Sequence, residues 1–235
     1  MTLHIIKSKS RGMADHGWLR SRHTFSFADY HNPHMMQFES LRVINEDIVS
    51  GGSGFPTHSH KDAEIFSYII DGQLEHKDTL GNGSVVGAGG VQYMAAGTGV
   101  SHSEFNPDDE NAVHFLQIWL LPNRTGAPPR YETLQLDDSL RRGRLQLFLS
   151  GDGRAGSMKM NQDVSIYSAL LDGDETVKFE VTQGRSGWVQ IVKGQAAING
   201  HSLSAGDACA LTDGALEITH GRGCEFILFD LAALH

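Results

Sequence analysis

Two stretches of this chain repeat each other, and the repetition limits the fold more than composition does. Ile69-Ile70-Asp71-Gly72-Gln73 returns as Ile191-Val192-Lys193-Gly194-Gln195, and Ala88-Gly89-Gly90-Val91-Gln92-Tyr93-Met94 returns as Ala205-Gly206-Asp207-Ala208-Cys209-Ala210-Leu211. The two pairs are separated by slightly different lengths, which a shorter hairpin at Asn199-Gly200 explains. Two copies of one structural unit follow. The unit is built of strands: short β-type runs at 41–48, 65–70, 73–78, 90–94, 113–121, 145–149, 166–171, 188–192 and 224–231 alternate with turn signals such as Gly81-Asn82-Gly83. No long stretch carries a helical period, and only 134–144 suits a helical turn. The expected architecture is all-β, two β-barrel domains packed together, divided as 1–123 and 124–235 with 122–129 as the link.

At 235 residues, either one large β domain or two smaller ones can bury a core. Acidic residues exceed basic ones by nine and no lysine or arginine stripe forms, so nucleic acid is not expected as a direct partner. There is no membrane-length apolar run, and the start Met1-Thr2-Leu3-His4-Ile5-Ile6-Lys7 lacks the apolar segment of a signal peptide. A cytoplasmic, soluble monomer is expected. Cys209 and Cys224 lie in alternating apolar stretches without a C-x-x-C spacing, which favours buried, reduced thiols over a disulfide or redox pair.

The chemistry is concentrated in two short segments. His58-Ser59-His60 and His102-Ser103-Glu104 each read ligand-x-ligand. Side chains alternate along a strand with period two, so each segment aims two donors at one face. Three imidazoles and one carboxylate would surround a single divalent transition metal, and an octahedral ion would keep two positions open. Nitrogen and oxygen donors without thiolate suit Fe(II), Mn(II), Ni(II), Co(II), Cu(II) or Zn(II), and residue types alone do not choose among them. Glu104 has a second reading, as a general base beside a metal held by histidines alone.

The glycines around these segments complete a two-part cupin pattern: Gly52, His58, His60, Glu64 and Gly72, then Gly97, Gly99, His102 and Asn106. A closer resemblance is to the pirin family, in particular to bacterial pirin-like proteins associated with quercetin 2,3-dioxygenase activity. It is carried by Gly17-Trp18-Leu19, His23-Thr24-Phe25-Ser26-Phe27-Ala28-Asp29-Tyr30, Leu41-Arg42-Val43-Ile44-Asn45, His58 to Glu64 and Gly97 to Asn106. The resemblance implies a bicupin with metal ligands His58, His60, His102 and Glu104 in the N-terminal barrel, and iron as the metal. It further implies dioxygen and a flavonol such as quercetin as substrates. The rival implication is a metal-containing regulatory protein that binds a protein partner without turnover.

Other residues receive plainer readings. Glu64 is expected to hydrogen-bond near the site or to support a histidine. His16, His23, His31 and His34 repeat no ligand spacing, so loop and capping contacts are expected instead of a second metal site. Phe25 and Phe27 alternate as strand core does, with a place in a flavonoid pocket as the alternative reading. In the second copy, Glu180, Thr182 and Ser186 stand where His58, His60 and Glu64 do, with Thr219 near the place of His102 and His220 left over, so no second metal is expected there.

Overall fold

A computed structural model of the protein describes residues 3–234. After β1 (Leu3–Ile6), the strands of the first half are β2 (Gly12–Asp15), β3 (Leu19–His23), β4 (Leu41–Val49), β5 (Gly54–His60), β6 (Glu64–Asp71), β7 (Gln73–Asp78), β8 (Gly83–Gly87), β9 (Gly90–Ala95), β10 (Val100–Phe105), β11 (Val113–Leu120) and β12 (Arg130–Gln135). They form two sheets, a seven-stranded one ordered β12-β9-β6-β11-β4-β3-β2 and a four-stranded one ordered β5-β10-β7-β8. A helical turn, α1 (Asp138–Arg141), follows, capped by the Asp137 side chain accepting from the Ser139 backbone N–H. The second half runs β13 (Gln146–Ser150), β14 (Met158–Lys159), β15 (Val164–Gly173), β16 (Val177–Val181), β17 (Arg185–Ile198), β18 (His201–Ser204), β19 (Ala208–Leu211) and β20 (Gly214–Ala232).

The repeat seen in the sequence is a repeat of pairing. In the first half β6 lies between β9 and β11; in the second, β17 lies between β19 and β20. The shared glycine has the same task in both. Gly72 and Gly194 have φ of 76° and 63°, and a Cβ on either would meet backbone, 2.9 Å from the Ala112 carbonyl oxygen and 2.3 Å from that of Arg222. Only glycine turns the chain there without strain.

The compact units divide the chain differently from the expected 1–123 and 124–235. One unit is Arg11–Leu136; the other comprises 3–10 and 137–234 of the described residues. Pairing explains both shifts. β12 hydrogen-bonds along β9 from Arg130↔Ala95 to Gln135↔Gly90, and β1 pairs with β19 from Leu3↔Leu211 to Ile6↔Ala208. Backbone groups at a sheet edge gain partners this way, and the chain crosses between units only where no ladder remains to be extended.

The second unit is filled by an apolar cluster that includes Val177, Val181, Val189, Ile191, Ile198, Leu216 and Phe226. Cys209 and Cys224 are free and buried in it, and burial pushes both thiols up to about 12. Among the described residues, no helix is long and apolar enough to cross a membrane.

Candidate metal centre and its cavity

β5 and β10 pair antiparallel, with His102 opposite His58 and Val100 opposite His60. This register, with the alternation of side chains along a strand, gathers three imidazoles on one side of the four-stranded sheet. Their ligand nitrogens lie within 4.8 Å of one another. Nε2 of His58 and Nε2 of His102 lie 3.1 Å apart.

The hydrogen bonds behind these rings decide which nitrogen carries each proton. His58 turns Nδ1 toward the Pro56 carbonyl oxygen at 2.8 Å, so Nδ1–H donates and Nε2 keeps its lone pair. His102 places Nδ1 3.2 Å from Nδ1 of His76, whose Nε2 is 3.1 Å from Oδ2 of Asp78. Burial raises the Asp78 carboxyl, but bonds from Asn82, His76 and the Leu80 backbone outweigh it and hold the group below its ordinary value. An ionised carboxylate only accepts, so His76 donates through Nε2 and accepts His102 Nδ1–H at its own Nδ1. Two lone pairs, on His58 and His102, are left facing each other. Two donors each about 2.1 Å from one metal ion and at right angles to it lie about 3.0 Å apart, so the observed separation fits a shared ion.

Protonation is also disfavoured. Burial, with the neighbouring His58 adding to it, lowers His60 to about 4, and burial together with His58, His60 and His76 lowers His102 to about 3. Near neutral pH both rings are in the uncharged form that a metal requires.

Glu104 follows His102 by two residues on β10, and a β-bulge falls between them in the pairing with β5. It is 2% exposed and accepts from Ser67 Oγ at 3.1 Å, Gln92 Nε2 at 2.5 Å and Gln117 Nε2 at 2.7 Å. These donors are neighbours in register, Gln92 beside Ser67 and Ser67 beside Gln117 on β9, β6 and β11. Burial pushes the Glu104 carboxyl up to about 7 against their opposing effect.

The ligand atoms of the four residues grouped by the sequence fall into two groups that share His102. His58, His60 and His102 come together; Glu104 joins His102 and His76 in a second group, also within 4.8 Å. Glu64 lies in neither group and accepts a hydrogen bond from the Tyr93 hydroxyl. Both groups lie in the first unit, and no others occur among the described residues. In the second unit, Glu180 and Thr182 are exposed while Val177 and Val181 turn inward, so that interior is apolar.

His58 and His60 open onto a cavity of about 610 Å³ within the first unit. Leu19, Phe27, Phe55 and Trp119 give it an apolar lining; Ser21, Asp47 and Gln117 contribute polar groups. Trp119 meets His60 edge to face at 4.9 Å and Phe27 at 5.6 Å. Phe27 thus takes the pocket role while Phe25 is buried. His23, expected in a loop contact, is instead a strand residue of β3, bonded through Nδ1 to Asn45 Oδ1 at 2.9 Å, and with His16 it lines the cavity.

Sequence reasoning missed the groups that orient the ligands. His76-Lys77-Asp78 is a third donor-x-donor strand segment, and that spacing was the available signal. Ser67 interrupts the apolar run of β6, as Gln117 does in β11. A lone polar residue among core positions of a strand signals a partner across the sheet.

Comparison with known proteins gives concordant matches over both halves. The family model described as Pirin matches residues 6–120, and that described as Quercetinase C-terminal cupin domain matches 147–231. Quercetin 2,3-dioxygenase of Escherichia coli strain K12 is 45% identical over 230 residues, 97% of this chain and 98% of the relative. A pirin-like protein of Caulobacter vibrioides is 37% identical over 94% of this chain and 96% of its own length. The crystal structure of the bacterial pirin YhhW from Escherichia coli in complex with nickel(II) superimposes with a TM-score of 0.94 at 43% identity, covering 99% of this chain and all of that one, 100%.

Proposed function

This chain belongs to the pirin family, and from that premise we propose that it is a metal-dependent dioxygenase of the quercetinase type, cleaving a flavonol at one mononuclear site. His58, His60 and His102 would hold the ion, with Glu104 as fourth donor, and iron(II) is the metal we assign. The nickel(II) complex of the Escherichia coli pirin supports a divalent ion of this kind. The observation that carries the reading is that the convergent imidazoles His58 and His60 form part of the wall of a 610 Å³ cavity, the size and apolar character expected for a small aromatic ligand.

When bound, the ion supplies Lewis acidity toward a phenolic or enolic oxygen and a meeting point for dioxygen. The protein supplies the rest. Phe27 and Trp119 give a flat ring apolar faces and edges to pack against. Gln92, Gln117 and Ser67 hold Glu104 beside His102, where its carboxylate takes the proton of the substrate hydroxyl.

The test is an oxygen-electrode assay on protein of measured metal content, with quercetin supplied aerobically and anaerobically. Flavonol loss should match dioxygen uptake and stop without oxygen. Metal-replete protein that consumes no dioxygen with quercetin would overturn the assignment.

A further inference from the structure

The cavity has a buried acidic point that the metal chemistry leaves unused. Asp47 lies on β4 two residues beyond Asn45, on the same face of the strand, and opposite Ser21 of β3. It lines the cavity that His58 and His60 also line, and is only 2% exposed. Ser21 Oγ donates to its Oδ1. Burial pushes its carboxyl up to about 7, the Ser21 bond opposing it, with the acidic neighbours Glu104 and Glu46 adding to burial and His114 partly offsetting them. A carboxyl buried with so little support is costly to the fold, and such groups cluster where a ligand uses them.

Its setting is also organised. His23, Asn45 and Gln117 stand side by side on β3, β4 and β11, making a polar row across the sheet that ends on the donors of Glu104. A single ligand in the cavity can therefore meet the histidines and this polar face together.

We propose that Asp47, positioned by Ser21, is a second ligand-binding point that accepts a hydrogen bond from a hydroxyl remote from the metal-binding oxygens. The cavity then selects polyhydroxylated aromatic ligands over those with a single enolic hydroxyl. Either protonation state of the carboxyl leaves an oxygen able to accept. Phe27 and Trp119 give affinity to any flat ring; Asp47 distinguishes among rings by their hydroxyls, because a site that expects a hydrogen bond is left with an unpaired buried group when the hydroxyl is missing. This rests on the reading of the cavity as a flavonol site.

The experiment is anaerobic titration of nickel-loaded protein with quercetin and with 3-hydroxyflavone, which keeps the carbonyl and the 3-hydroxyl but lacks the other hydroxyls. Wild type should bind quercetin more tightly by about tenfold or more. Asp47→Leu should weaken quercetin by roughly 10- to 100-fold and leave 3-hydroxyflavone within about twofold. Asp47→Asn keeps the shape and guards against a folding defect; its smaller loss should again be confined to quercetin. Equal losses for both ligands, or none, overturn the second binding point. Wild type binding both flavonols equally also overturns it while leaving the flavonol reading intact, and wild type binding neither overturns both.

Discussion

His76 is buried, 1% exposed, stacked on Tyr131 at 4.1 Å with the rings 9° from parallel, and it provides the acceptor for His102 Nδ1–H. His76→Phe keeps a ring of similar size on Tyr131 and removes the acceptor. His102, 2% exposed, is then left with a buried N–H lacking that partner. Such a loss costs about 1–3 kcal/mol, and the ring is freed to place its proton on the Nε2 that the ion needs. At about 1.4 kcal/mol per tenfold, metal affinity should fall roughly 10- to 100-fold, the range seen when groups that orient metal-bound histidines are removed. Competition with a chromophoric chelator at fixed pH reads this directly. Thermal unfolding of the metal-free variant, run alongside, separates it from loss of folding. Affinity within about twofold of wild type would refute the idea that the Asp78–His76 pair sets the tautomer of His102. Asp78→Asn is a poorer probe, because Asp78 also accepts from the Leu80 and Asn82 backbone N–H groups that shape the turn after β7.

Three further outcomes are expected. His58→Ala and His102→Ala should each abolish stoichiometric metal binding while circular dichroism still reports a β protein, and His220→Ala should leave one ion per chain; elemental analysis showing wild-type occupancy in both ligand variants would sink the assignment. Glu104→Gln should retain some metal through its oxygen yet lose at least roughly a hundredfold in flavonol turnover after correction for metal content, because an amide cannot take the proton; full turnover at full metal would leave Glu104 outside the chemistry. Asp47 has a folded value of about 7, above its ordinary 3.8, so the unfolded chain ionises first and the wild type loses stability as pH rises between those values. Asp47→Asn lacks that penalty and should gain on the wild type by up to about 4 kcal/mol between about pH 4 and pH 8, with no gain below. Denaturant unfolding checks this, and a difference independent of pH would contradict it.

Much of the strand order was legible because its cues are local. The run read at 73–78 is β7 as observed, and those at 41–48, 65–70 and 90–94 fall within a residue or two of β4, β6 and β9. Alternation and turn glycines act within a few residues, and the repeat exposed two copies of one pairing scheme without knowledge of any partner strand. The prolines and glycine of 122–129 are local turn signals, whereas β12 continues the first sheet beyond them by pairing with β9.

The sequence by itself determined that the chain is all-β and twofold repeated, and that His58, His60 and His102 aim donors from two strands at one place, because a period of two and a glycine turn are properties of neighbouring residues. Tertiary structure alone decided which nitrogen His102 offers, since that depends on His76 and Asp78 of β7 meeting it across strands. It also decided that Glu104 is held by Ser67, Gln92 and Gln117, donors from three strands brought into one row. Asp47 and Ser21 acquire meaning in the same way. Register between strands is set by how whole faces pack, and a single strand carries no record of what will lie opposite it.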